Sequence, residues 1–138
     1  MKVFLDTNVY VAEALLGETA EELVHATTKA RWHLYTSSHV LAELERVMVE
    51  RLACSRRFAA LTRKRTQRRA TLVEPSSSRH RVPDDPADSP VLQAALAAGV
   101  DYLVTNDTHL LSLSPYEGLR ILSMGDYRLL LQDRGLLE

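Results

Sequence analysis

Met1-Lys2-Val3-Phe4-Leu5-Asp6 opens the chain with an apolar run that stops at a carboxylate. Consecutive apolar residues, without alternation, suit a short strand covered on both faces, as in a parallel sheet. Asp6 then falls at the strand's carboxyl end. A second segment, Val100 to Thr105, has the same form and runs into Thr105-Asn106-Asp107. Between these two, helical and strand-like stretches alternate. From Val9, apolar residues recur through Ala12, Leu15 and Leu16, with Gly17 as a stop. Thr19 with Glu22 predicts a capping box opening a second helix through Leu23, Val24 and Ala30. Trp32 to Thr36 reads as a strand, and Ser37 or Ser38 caps a long amphipathic helix carrying Val40, Leu41, Leu44, Val47, Met48 and Leu52.

Phe58 to Ala70 is rich in helix formers but has a thin apolar stripe. Thr71 to Val73 can form a short strand, and Pro75 to Pro86 reads as a polar loop. Ser89-Pro90 supplies the cap and first position of a helix over Val91 to Ala98, closed by Gly99. Leu110-Leu111 is helix-like, Leu119 to Leu122 a last strand and Tyr127 to Leu131 a last helix. Strands alternating with helices predict an α/β fold with a largely parallel sheet. Sites in such sheets lie beyond the carboxyl ends of the strands, where Asp6 and Asp107 fall.

The 138 residues suit one compact domain over 1–138, and 46% hydrophobic with 25% charged residues excludes a globally disordered chain. The lone Cys54 cannot close an intrachain disulfide or supply a zinc ribbon, which points to a reducing, cytoplasmic setting. No stretch is long and apolar enough to predict a membrane span. Net charge is −1, but its distribution is uneven. From Arg46 to Arg81 there are 11 basic residues against Glu50 and Glu74, a segment charge of +9, so the remainder carries −10. A basic face beside an acidic site is therefore expected.

The candidate acids are Asp6, Glu43, Asp84, Asp85, Asp88, Asp101 and Asp107. Two carboxylates about 4 Å apart repel by roughly 4 kcal/mol at an effective dielectric near 20, so several gathered together call for a cation or protons. Oxygen ligands without a cysteine set or paired histidines favour Mg²⁺ or Mn²⁺ over zinc. Each acid also has a plainer reading. Asp6 and Asp107 suit turns or caps, Asp88 can cap the helix at Pro90, Asp84 suits a turn and Asp101 a helix-to-strand connection. Glu43 and Glu45 both border the apolar stripe of their helix, and the helical wheel does not choose between them.

Taken in order, Leu5-Asp6-Thr7-Asn8-Val9, Ser37-Ser38 leading to Leu41-Ala42-Glu43-Leu44, Asp85-Pro86-Ala87-Asp88-Ser89-Pro90-Val91-Leu92 and Tyr102-Leu103-Val104-Thr105-Asn106-Asp107 resemble the successive motifs of PIN-domain nucleases. The match spans nearly the whole chain and is similar especially to bacterial PIN proteins classed as toxins of toxin-antitoxin pairs. The resemblance implies a three-layer fold with a mostly parallel central sheet flanked by helices. It also implies a metal centre of Asp6, Glu43, Asp88 and Asp107, with Thr7, Asn8, Ser37 and Thr105 as polar neighbours that orient carboxylates or water. Asn8 and Thr105 rank highest among these. Asp85 and Asp88 compete for one ligand position; Asp88 adjoins the helix start, and Asp85 then serves as a supporting acid.

On this reading the chain is an endoribonuclease using metal-activated water, with RNA as substrate, a cognate antitoxin as partner and a homodimer as a plausible assembly. Arginine's planar fork suits phosphate. Arg56, Arg57, Arg63, Lys64, Arg65, Arg68 and Arg69 are the candidate backbone contacts, supplemented by Arg79 and Arg81; a solvated helix face is the plainer reading. The five histidines show no triad or zinc spacing. Two other functions fit parts of the pattern. A haloacid-dehalogenase-type phosphatase would use Asp6 as nucleophile, but the second Asp two positions on is missing. A non-catalytic module on the same scaffold would bind RNA or an antitoxin without turnover.

Overall fold

In the computed structural model, which describes residues 1–15, 17–75 and 89–138, five strands and seven helices follow one another as the alternation predicts. The order is β1 (Lys2–Leu5), α1 (Thr7–Leu15), α2 (Glu18–Lys29), β2 (His33–Thr36), α3 (Ser38–Glu50), α4 (Arg56–Arg69), β3 (Thr71–Leu72), α5 (Pro90–Ala98), β4 (Tyr102–Val104), α6 (Thr108–Leu111), β5 (Arg120–Leu122) and α7 (Met124–Asp133). Every strand pairing is parallel, and the sheet order is β3-β2-β1-β4-β5. Val3, Phe4 and Leu5 are all buried, as are Tyr102, Leu103 and Val104. Successive side chains of a strand point to opposite faces, so both faces of the sheet are covered and the fold has three layers.

The strand order reverses direction at β1. The chain first builds outward through β2 to β3, then returns to lay β4 on the other side of β1. Right-handed crossovers leaving in opposite directions open a crevice at that point, above the carboxyl ends of β1 and β4. Val3 pairs with Tyr102 and Leu5 with Val104, so Asp6 and Thr105 leave neighbouring strand ends at the same level, and the Asp6 N–H donates to the Val104 carbonyl at 2.9 Å.

The caps expected at Ser37 and Ser89 form, and Ser123 adds one not foreseen. Ser37 Oγ accepts from the Val40 N–H, Ser89 Oγ from Leu92 and Ser123 Oγ from Asp126. Ser55 caps α4, so that helix begins two residues before Phe58 and includes Arg56 and Arg57. The Thr19–Glu22 capping box does not form. Gly17, at φ 81°, both accepts the end of α1 and serves as N-cap of α2, which places Thr19 inside the first turn. Gly99 closes α5 in the left-handed conformation. Among the described residues no helix is long and apolar enough to cross a membrane.

Candidate active site

Asp6 leaves β1 only 7% exposed, and each of its oxygens has a donor. The Thr7 N–H donates to Oδ1 at 2.7 Å, and the Thr105 hydroxyl donates to Oδ2 at 2.7 Å. Thr105 is fully buried and accepts in turn from the Asp107 N–H at 3.0 Å. One hydroxyl therefore bridges the carboxylate at the end of β1 to the backbone that presents Asp107. Asp107 is the N-cap of α6, its Oδ1 accepting from the His109 N–H at 2.9 Å. Burial raises the Asp6 pKa above the usual carboxylate value; the Thr105 and Thr7 donors oppose this, while the nearby Glu43 and Asp107 charges add to it.

Glu43 comes from α3. It pairs with His39, one turn earlier, at 3.2 Å, and faces the same cavity as Asp6 and Asp107. Glu45, which the helical wheel leaves level with Glu43, instead accepts from Arg63 of α4 at 2.9 Å. The geometry thus separates the two glutamates. The cavity has a volume of about 480 Å³; Thr7 and Asn8 line it on one side and Asn106 on another. Ser37 is buried as the cap of α3, and Asp101 sits at the opposite end of the sheet, where it accepts from the Lys2 N–H. Asp84, Asp85, Asp88, Arg79 and Arg81 lie outside the described residues.

Among the described residues no group of three or more His, Cys, Asp or Glu side chains is close enough to hold a metal ion. The chemistry of the donors nonetheless suits a hard cation. They are all oxygens, and the buried Thr7 Oγ1 and Asn8 Oδ1, both from residues lining the cavity, have no hydrogen-bond partner among the described residues. Leaving such an atom unsatisfied costs about 1–3 kcal/mol, which a cation or its water would relieve.

Asn106, Met124 and Arg51 line this cavity without having been given a role from the sequence. Asn106 Oδ1 accepts from the Met124 N–H at 3.3 Å, joining the β4 end to the start of α7. Met124 itself lines the cavity, as does Arg51 at the end of α3. The signal for Arg51 was its spacing of eight residues from Glu43, two turns along the same helix face.

The basic helix α4 divides into two sets. Arg69 grips the half-buried Glu13 of α1 through two hydrogen bonds, at 2.6 and 2.7 Å, with Arg65 at 3.7 Å from the same carboxylate, and Arg63 holds Glu45. Arg56, Arg57, Lys64 and Arg68 are exposed and make no ion pair with a described residue. A second hollow of about 520 Å³ lies between α1, α2 and α4, lined by Glu13, Phe58 and Arg69 among others, away from Asp6 and Asp107.

A family model for the PIN domain matches residues 2–109. No curated protein matches the chain. Among solved structures, the chain is similar to one of VapBC2 from Rickettsia felis bound to a DNA fragment from their promoter. The two are 17% identical, with a TM-score of 0.61, and the match covers 89% of this chain and 98% of that one. At that identity the likeness is one of fold. The family model, by contrast, spans most of the sequence and includes Asp6, Glu43 and Asp107, so the chain belongs to the PIN-domain family.

Proposed function

We propose that this chain is a metal-dependent endoribonuclease and the toxin of a toxin-antitoxin pair. The observation that carries the proposal is the meeting of Asp6, Glu43 and Asp107 in one cavity at the crevice between β1 and β4. Asp6, Glu43 and Asp107, joined by Asp88, would hold Mg²⁺ or Mn²⁺, with Asp85 in support. The bound ion would supply an acidified water and a polarised phosphate.

The chain's own contribution is positioning. Thr105 fixes the Asp6 carboxylate and the Asp107 backbone through one oxygen, so the two acids move as a unit. Asn8 and Thr7 would offer bound water oxygens that have no partner among the described residues. The exposed Arg56, Arg57, Lys64 and Arg68 are available to RNA phosphates; Arg63, Arg65 and Arg69 are engaged with glutamates and would reach RNA only at the edges of their guanidinium groups. The antitoxin partner and a homodimer rest on the sequence resemblance, a cytoplasmic setting rests on the lone Cys54, and the likeness to VapBC2 supports the first of these.

The test is cleavage of RNA with Mg²⁺ or Mn²⁺. Asp6→Asn and Asp107→Asn are expected to lose at least about a hundredfold in rate while remaining folded with a cooperative melt, a loss of roughly 2.7 kcal/mol in transition-state stabilisation. Wild-type cleavage that persists in excess chelator contradicts the metal mechanism.

A further inference from the structure

We propose that Arg51 binds a substrate phosphate that flanks the scissile one a few nucleotides away, and so sets where the RNA strand lies across the acids. The inference rests on the nuclease reading above and adds to it a residue outside the acidic set. Glu43, Val47 and Arg51 follow one another at intervals of four on α3, and all three line the cavity that holds Asp6 and Asp107. One wall of that cavity thus runs from acid through an apolar step to a base.

Among its described lining residues, Arg51 is the single basic one. Arginines nearby are engaged: Arg46 with Glu50, Arg63 with Glu45, and Arg65 and Arg69 with Glu13. Arg51 is exposed and makes no ion pair with a described residue, Glu43 included. Its charge is therefore not consumed in neutralising the acids, and an unpaired guanidinium in a cleft is a fork suited to phosphate. A cation at a helix C-terminus is also favoured by the helix dipole, so a purely local role for Arg51 is the alternative that the test must separate.

The spacing assigns the phosphate. Eight helical residues advance about 12 Å, whereas a stacked strand advances about 3.4 Å per nucleotide. Arg51 therefore addresses a flanking phosphate about three to four nucleotides away when the scissile one is at Asp6 and Glu43. Val47, with the half-buried Val11 and Met124, gives the intervening nucleosides an apolar surface.

The experiment uses the full chain and a short fluorescein-labelled oligouridylate. In the Asp6→Asn background, fluorescence anisotropy across a salt series reads binding without turnover. Adding Arg51→Gln is expected to weaken binding about tenfold and to lower the salt slope by about 0.7, the value for one phosphate contact on a single strand. Arg51→Lys should keep the slope and recover part of the affinity. In the active chain, Arg51→Gln should raise KM about tenfold with kcat within twofold. An RNA carrying one neutral methylphosphonate at the contacted flanking linkage should bind equally well to Arg51→Gln and Arg51 chains. Equal slopes and affinities for Arg51→Gln and Arg51 on unmodified RNA overturn the assignment, whereas cleavage that survives Asp6→Asn overturns the placing of the metal centre at Asp6, while a lowered slope for Arg51→Gln still supports the phosphate contact.

Discussion

The Thr105 hydroxyl spends its single proton on Asp6 and its lone pairs on the Asp107 N–H, which makes Asp6 a buried carboxylate with two donors and no cationic partner among the described residues. Burial outweighs those donors, and the folded-state pKa of Asp6 is raised. The sign of the consequence follows. A carboxyl whose pKa is higher in the folded state favours folding fully below the unfolded value, about 3.9, and that contribution is lost as pH rises through the folded value. Without divalent cations, Asp6→Asn should therefore be more stable relative to wild type at pH 7 than at pH 3. Paired thermal melts in chelator at the two pH values check this, and an equal difference at both contradicts it. At this scale the sequence was legible where identity and position suffice: Asp6 at a strand end, Thr105 two residues before Asp107. It was not legible for Glu43 against Glu45, because their side chains part only when α4 supplies Arg63 as a partner for one of them.

Between elements, the strongest polar tie runs from α1 to α4. Glu13 is 7% exposed, holds Arg69 in a two-pronged contact, and Arg69 also lies 5.9 Å from the centre of the Tyr10 ring. The apolar stripe of α4 is thin, with only Ala59, Thr62 and Thr66 buried, so this contact contributes to seating the helix. Removing one partner of a half-buried pair leaves the other's charge without its counter-ion. Glu13→Ala is expected to cost about 1.5–3 kcal/mol, read as a lower urea midpoint with an unchanged m value. A cost below about 0.5 kcal/mol would place the pair among exposed salt bridges. The helix itself was legible from its composition, but the division of its arginines was not. Glu13 and Arg69 are far apart in sequence and meet only through tertiary packing, so charge alone made Arg69 look like a nucleic-acid contact. The Thr19–Glu22 pattern misled for a related reason: Gly17 turns the chain so tightly that the helix starts before the expected cap.

For the whole molecule, the strand order places the site. Period-2 and period-3.6 patterns yield the elements and the parallel sheet, and two apolar runs ending in acids mark the strand ends; that β1 and β4 are neighbours at the point of reversal is a property of the complete sheet. It brings residues 6 and 107 into one cavity and lets α3 add Glu43 from the side. The central claim is that this cavity is a site for a divalent cation. Isothermal titration of the full chain with Mn²⁺ tests it most directly. The account predicts saturable binding that Asp6→Asn abolishes in a chain that remains folded; no binding to the wild type, or equal binding by both chains, would contradict it.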